Sequence, residues 1–387
     1  MSPRKKILLL HLVGQYPMAG IVWQAAHHLV ALDRLGYEVY YIEDSGAPPY
    51  DPRARSVVED CSYGVEMIRR MMKRFDLGDR WAYWDSGRDV WHGLSRQKVF
   101  DLYREADALV NLCGTTRFRE EHLACPVRIY LETDPVFEQI QLAQGNEKTI
   151  QFLNSHTHHF TYGENLGTPE CPIPLEKYDW KKTRPPVVLD LWGPRPGPEG
   201  KVFSTVGTLY NVGKDITFRG ERYYWSKHVT FTRFLDLPRR TNQRFELAME
   251  IAKQEHRTLL ESHGWEITDP VPKSSDPDAY QNYIYACRGE FSVSKDLVVR
   301  TRCGWFSDRS VCYLAAGKPV IVQDTGFGRN IPTGRGLFAF DTLEEAVDAV
   351  EKVNRDYASH CKAAWEIARE FFDASKLLSE IVKHAGL

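Results

Sequence analysis

The sequence has no cysteine pairs of the kind that build disulfide frameworks or redox motifs. Cys61, Cys113, Cys125, Cys171, Cys287, Cys303, Cys312 and Cys361 are scattered, and none forms a Cys-x-x-Cys. Such spacing suits reduced thiols, so a cytoplasmic location is expected. Long apolar runs are also missing. Nothing reaches the ~18 consecutive apolar residues of a membrane-spanning helix. The opening MSPRKKILLLHLVG has the basic start and apolar centre of a leader peptide, but its apolar run is short and Gln15-Tyr16-Pro17 follows instead of small residues. It reads as a first buried strand. An excess of charge is absent too. The formal net charge of −2 gives no broad electrostatic grip on nucleic acid or anionic lipid, so neither is expected as a partner.

What is present is a chain of 387 residues, long enough for two domains. Lys6–Val13 is apolar and bounded by Gly14, as in a buried parallel strand. Residues 20–35 follow with Ile21, Ala25, Leu29 and Leu32 on one helical face, and Gly36 ends them. Residues 38–43 (EVYYIE) then make a second strand, completing a βαβ unit. The loop GQYPMAG lies at the carboxyl end of the first strand, where open α/β sheets bind ligands. Residues 44–102 look like an irregular insertion carrying Trp81, Trp84 and Trp91. Regular strands return at 108–112, 127–131 and 158–162, each ending in polar residues or glycine.

A proline-rich connector spans 184–200, after which the pattern restarts with VFSTV and Gly207-Thr208. A helix is expected around Phe245, Leu247, Ala248 and Ile251, then strands at 265–267, 291–293, 320–322 and 337–340. An amphipathic helix at 343–353 turns Val347 and Val350 inward. Two more helices close the chain, the last capped by Asp373 or Ser375. The expected architecture is therefore two Rossmann-like doubly wound α/β domains, 1–190 and 191–365, facing a cleft. Residues 366–387 are expected to pack back on the first domain.

The chemistry concentrates in TRCGWFSDRSVCYLAAGKPVIVQDTGFG, residues 301–328. Charge, glycine and hydroxyls precede a short apolar helix, and a strand and a glycine turn follow. A helix amino end offers unpaired N–H groups and a positive dipole, and a diphosphate can sit there without a metal. Ser307 and Ser310 add hydroxyls, Arg302 and Arg309 add guanidinium forks, and Gly304 allows close backbone approach. Gly207 and Thr208 would form the opposite wall.

These residues resemble two groups of GT-B glycosyltransferases. Plant-type and antibiotic-type enzymes carry a signature beginning Thr-His-Cys-Gly-Trp and ending in a small residue and Gly-x-Pro. Here Thr301, Arg302, Cys303, Gly304, Trp305 and Ser307 lead to Ala316, Gly317, Lys318 and Pro319 over a slightly longer interval. Spore-maturation-type enzymes carry Ser-x-Arg and then a small residue and Gly, matched by Ser307, Asp308, Arg309 and Gly317. The resemblance implies a metal-independent transferase that takes a sugar from a nucleoside-diphosphate sugar and has no resident cofactor. It also implies that the second domain holds the donor and the first the acceptor.

The departures are specific. The glutamate that usually holds the ribose falls on Cys312, and Asp308 or Asp324 would have to replace it. The two glutamates of retaining families fall on Gly304 and Cys312, so an inverting reaction is expected. The catalytic histidine of plant-type enzymes falls on Gly20. The base must then come from elsewhere on the first-domain rim. Asp134 is the leading candidate, since Pro135 holds it extended; His11 and Glu132 are its rivals. Glu290 is expected to hold sugar hydroxyls, Thr325 and Gly326 to line the donor site, and Gly14, Gly20, Trp81 and Trp84 the acceptor site. Adjacent His158 and His159 would point to opposite faces of a strand and do not suggest a metal. Two further readings stay open: a sugar-nucleotide epimerase on the same fold, and a nucleotide-sugar-binding protein without catalysis. The nucleotide, the acceptor and the oligomeric state carry no sequence signal.

Overall fold

Lys6–Leu10 sits at the centre of an eight-stranded sheet because its residues Ile7, Leu8, Leu9 and Leu10 are apolar and fully buried on both faces. It pairs in parallel with Glu38–Glu43 on one side and Ala108–Leu112 on the other. Beyond these lie Val127–Glu132, His158–Thr161 and Trp180–Lys182 in one direction, and Trp81–Asp85 and Val90–Gly93 in the other. Only the last pair is antiparallel. The computed structural model describes residues 4–387 except Pro198, Val212 and Ala252.

The second sheet has six parallel strands, ordered Glu266–Thr268, Arg244–Glu250, Val202–Thr208, Gly289–Ser292, Val320–Gln323 and Leu337–Phe340. Each sheet reverses strand order once, beside Lys6–Leu10 in the first and Val202–Thr208 in the second. A crevice opens at the carboxyl ends of the strands there, and open α/β sheets bind ligands in it.

Three sequence expectations change. Residues 244–250 (RFELAME) form a strand, not a helix. The Leu, Ala, Met and Glu content favours a helix locally, but register with Val202–Thr208 buries Phe245, Leu247, Ala248 and Met249 on both sheet faces, and that burial prevails. The supposed insertion at 44–102 is part of the first sheet. It supplies Trp81–Asp85 and Val90–Gly93 and the helices Ser62–Arg74 and Arg96–Glu105. The closing helices divide later than expected. Tyr357–Phe371 packs mainly on the second half, with Ala364, Ile367, Ala368 and Phe372 in its core. Ala374–His384 crosses to helix Ala19–Arg34, where Leu378 and Ile381 join the first-half core. The crossing falls at Phe372–Asp373, not at 366. Asp373 caps that last helix by accepting from the Ser375 N–H at 2.9 Å. Among the described residues no helix is long and apolar enough to cross a membrane.

The halves are tightly joined. Trp23 and Trp192 pack among second-half residues, and the Trp23 indole donates to the Pro277 carbonyl at 3.0 Å. The hairpin Ile216–Phe218 and Glu221–Tyr223 lies against Phe137, and Gln144 donates to the Thr217 carbonyl.

Candidate active site

A cavity of about 390 Å³ opens between the two halves. Gly20, Gln24, His27, Cys113 and Asp134 line it from the first half, and Tyr280, Trp305, Asp308, Arg309 and Cys312 from the second. A smaller recess adjoins it at the amino end of helix Asp308–Ala315, bounded by Lys227, Ser292, Ser294, Ser307, Arg309 and Ser310. Trp305 and Arg309 belong to both.

Asp134 reaches the cavity through a strained turn. Strand Val127–Glu132 ends just before it, and Val136 has φ +90°, an uncommon conformation for a β-branched residue. Val136 is fully buried, and its N–H donates to Gln139 Oε1 at 2.7 Å. The Gln139 amide in turn donates to both oxygens of Glu132 at 2.9 Å, and the Thr161 hydroxyl donates to Glu132 Oε2 at 2.5 Å. Glu132 is thus an internal strut for the turn. Burial and the nearby Glu138 push its carboxyl well above the usual range. It does not reach the cavity and cannot take a proton from an acceptor there.

His11 is also withdrawn. It is fully buried, and neither ring nitrogen has a hydrogen-bond partner. Burial and the neighbouring His28 lower it to about 3, so it stays neutral. Of the three base candidates only Asp134 faces the cavity, with 41% of its side chain exposed. Burial pushes its carboxyl up, but Lys295, Lys214 and Lys227 more than offset this, and it lies below the ordinary range. Lys295 Nζ contacts Asp134 Oδ1 at 2.7 Å across the cleft and sits 3.7 Å above the Trp225 ring.

The second half supplies cations. Arg309 Nε meets Glu290 Oε1 at 2.6 Å, with further bonds to the Val206 carbonyl at 3.1 Å and the Ser292 hydroxyl at 2.8 Å. Glu290 is fully buried and lines neither opening, so it braces Arg309 and does not hold sugar hydroxyls. Lys227 lies deep in the recess, and among the described residues no carboxylate pairs with it. Burial and then the positive Arg309 and Lys295 push its ammonium well below the ordinary range. A buried cation among cations is a site that gains from an anion. The sequence does not single out Lys295, and it offers Lys227 only as one of four basic residues, with Lys214, Arg219 and Arg222, that read chiefly as a solvated face with a diphosphate contact open to one of them. Both stand just before short helices.

Asp308 opens the helix and accepts from Gln24 Nε2 at 3.0 Å across the cleft. Burial, with the charge of Asp134 added, raises its carboxyl to about 7. The cleft therefore holds two carboxyls with opposed tendencies.

The remaining expected donor residues lie elsewhere. Arg302 is left-handed at φ +46° and pairs with Asp324 at 2.6 Å and Asp341 at 3.5 Å, outside both openings. Gly304, Thr325 and Gly326 form a joint. A Cβ on Gly304 would meet Asn165 at 2.9 Å, and one on Gly326 would meet the Asn165 amide at 2.6 Å. Asn165 bonds to the carbonyls of Arg302 and Gly326 at 3.0 Å, and its N–H to Cys303 at 2.9 Å. The Trp305 indole donates to the Thr133 carbonyl at 2.8 Å, and the Asp324 carboxylate takes the Gly326 N–H. Gly207 lies against Arg309, and Thr208 is exposed. Ser307 and Ser310 line the recess.

Of the expected acceptor residues only Gly20 lines the cavity. Gly14 packs under Tyr83, and its N–H donates to Glu43 at 2.7 Å. Trp81 is buried in the first-half core, and Trp84 stacks on Trp91 at the sheet edge. The aromatics serve the sheet edge because residues 81–93 are its outer strands. Gln24, His27 and Trp23 line the cavity instead, from one face of the first helix.

No protein-family model matches the sequence, and comparison with curated proteins finds no relative. Solved structures do match along nearly the whole chain. An alpha-glucosyltransferase in complex with UDP and a 13-mer DNA containing an HMU base is 10% identical, with a TM-score of 0.61 over 99% of both chains. HepE from Anabaena, in complex with UDP and glucose, is 12% identical, with a TM-score of 0.60 over 99% of this chain and 100% of that one. Sucrose-phosphate synthase from Thermosynechococcus elongatus is 11% identical, with a TM-score of 0.58 over 98% and 99%. The chain has the GT-B fold. At such identities the shared property of GT-B proteins is the fold, and the chemistry rests on this chain's own residues.

Proposed function

We propose that the chain is a glycosyltransferase that takes its sugar from a uridine-diphosphate donor. One observation carries this reading: Lys227 and Arg309 line the recess at the amino end of helix Asp308–Ala315, beside a cavity shared by both halves, and Lys295, paired with Asp134 of that cavity, adds its charge to theirs. Charge-assisted bonds and helix N–H groups together suit a diphosphate. The UDP bound in two of the structural neighbours supports uridine.

In this reading the diphosphate takes the recess and the sugar projects into the cavity. A diphosphate competes for Lys295 and so releases Asp134. The Asp134 carboxylate takes the acceptor hydroxyl's proton. The acceptor oxygen bonds the anomeric carbon, and the bond from that carbon to the diphosphate breaks on the opposite face, with inversion. Lys227, Lys295 and Arg309 hold the charge that develops on the leaving diphosphate. Because these cations meet that charge, the transfer is proposed to need no metal. Asp308 is protonated below about pH 7. It can donate to a sugar hydroxyl without repelling the phosphates, as an ionised carboxylate there would. The DNA held by one neighbour keeps nucleic acid among the acceptor classes despite the net charge of −2.

A melting-temperature screen with UDP, GDP, dTDP, ADP and CDP, with and without chelator, tests the donor. UDP should stabilise by about 2.7 kcal/mol at 100 times its dissociation constant, chelator or not. Stabilisation that vanishes with chelator defeats the metal-free site. Asp134→Asn should lower transfer ~10²–10⁴-fold and leave UDP affinity nearly unchanged. Near-normal turnover removes Asp134 from the mechanism. Interconversion of donor sugars without any acceptor would indicate an epimerase, and binding without turnover a non-catalytic protein.

A further inference from the structure

A second group of reactive side chains lies away from the cleft, at the outer edge of the eight-stranded sheet. Cys61 precedes helix Ser62–Arg74 and makes no cap there. Asp85 ends strand Trp81–Asp85, and His92 stands on its antiparallel partner Val90–Gly93. Cys61 Sγ is 3.6 Å from Asp85 Oδ2 and 3.6 Å from His92 Nε2. All three donor atoms lie within 4.8 Å of one another.

Those separations have a chemical meaning. Tetrahedral zinc holds a thiolate at about 2.3 Å and imidazole or carboxylate donors at about 2.0–2.1 Å, so neighbouring S···N and S···O donors lie roughly 3.5 Å apart. Two edges of such a polyhedron are already in place. The donor set of one sulfur, one imidazole and one carboxylate suits zinc better than the hard, oxygen-seeking cations. The outer shell is also present. Asp85 Oδ1 accepts from the N–H groups of Gly87 and Arg88 at 3.1 and 3.3 Å, which fixes the carboxylate. Arg88 meets Asp85 Oδ2 at 3.0 Å, but its side chain is 57% exposed and can swing away. A cavity of about 290 Å³, lined by Tyr83, Asp85 and Arg88, gives water and ion a way in.

A nucleophilic cysteine fits less well. Among the described residues no hydrogen bond joins Asp85 to His92. The carboxylate touches the sulfur instead, where it would repel a thiolate. A cation between them turns that repulsion into ligation.

We propose that Cys61, Asp85 and His92 form a three-ligand site for a zinc-like divalent cation, with its fourth position open to the adjoining cavity. The site is separate from the cleft and independent of the proposed transfer. Its consequence is mechanical. The metal clamps the start of helix Ser62–Arg74 to the sheet edge. From that helix Arg70 and Arg74 pair with Asp276 and Asp278 of the second half, and the Tyr63 hydroxyl donates to the Ser275 carbonyl.

Cobalt titration of the full chain after dialysis against chelator tests this. The expected result is a thiolate-to-cobalt charge-transfer band that saturates at one equivalent and is displaced by zinc. Cys61→Ser should abolish the band. His92→Gln should weaken binding by at least the ~10–100-fold that loss of an outer-shell partner costs. Cys125→Ser, in a different part of the sheet, should change neither. Circular dichroism of each metal-free variant checks folding, and His92→Gln supplies the answer if Cys61→Ser does not fold. No thiolate band in folded wild type, or a band that survives both substitutions, overturns the proposal.

Discussion

Residues 301–305 and residues 307–310 follow one another in the chain, yet they do different work. The first group spends its polar groups on the junction between halves. The carbonyls of Arg302 and Cys303 accept from Asn165 and the Trp305 indole reaches the Thr133 carbonyl, all across the halves, while the Arg302 guanidinium pairs with Asp324 within the second half. The second group faces the recess and the cavity, and its charges are only partly neutralised within the protein. A motif read as one donor signature thus divides into a joint and a binding surface. Gly304 at φ +83° turns the backbone between them, and Trp305 just after it takes part in both, donating to the Thr133 carbonyl and lining the recess and the cavity.

Two cations in the recess sharpen that contrast. Arg309 is committed to a buried carboxylate, whereas Lys227 has none. Arg309→Ala should produce the largest effect on stability. It leaves Glu290 buried and unpaired, at a cost of about 3–5 kcal/mol. Chemical denaturation measures it, and a loss below about 1 kcal/mol would show that Glu290 does not depend on the pair. Lys227→Ala should do the reverse. Removal of an unpaired buried cation leaves stability equal or higher, while UDP affinity falls by about 1.5–3 kcal/mol. Arg302→Ala, on the joint, should leave UDP affinity unchanged. Calorimetry on the two variants together decides the matter. If Arg302→Ala weakens UDP and Lys227→Ala does not, joint and site have been assigned the wrong way round.

The central parallel strands of both sheets were legible because buried parallel strands are apolar throughout and end in glycine or polar residues, as at Leu10 and Leu112. Residues 244–250 misled because Leu, Ala, Met and Glu favour a helix, and only the neighbouring strand, far in sequence, overrides them. The positions of Asp134, Ser307, Asp308, Arg309 and Ser310 at the cleft were legible, because rim position and helix start are local properties. Lys295 was not, and Lys227 was only one of four basic residues read chiefly as a solvated face. Each owes its importance to the partner it lacks or the charge opposite it, and pairing across more than a hundred residues leaves no local trace. Glu132 and His11 stand at the right ends of the right strands, but their side chains point inward. Strand position alone does not tell the two directions apart when both faces are covered.

The smallest effect concerns Asp308, which lies at the boundary between joint and site. Its carboxyl is raised to about 7 by burial and by the charge of Asp134. An unfolded aspartate titrates near 4. The folded state therefore holds the proton more tightly, and this contribution to stability is complete below about pH 4. It is lost as pH rises and is gone once pH passes the folded value near 7. Asp308→Asn keeps the shape and the Gln24 contact but cannot ionise. The variant should match wild type at low pH and gain on it steadily between about pH 4 and 7. Because Asp308 is partly open to solvent, the difference should settle near ~1–2 kcal/mol, below the full shift. Comparing variant with wild type across pH isolates this group from Glu43, which is also raised to about 7 by burial and remains in both proteins. A uridine-diphosphate sugar, unlike UDP alone, should lessen the difference if the proton on Asp308 serves the sugar, since the bound donor then holds the protonated form in wild type as well. A variant with the same pH profile as wild type would mean that the Asp308 carboxyl is solvated in solution. The division between a joint that is neutral and a site that is poised would then have to be drawn without it.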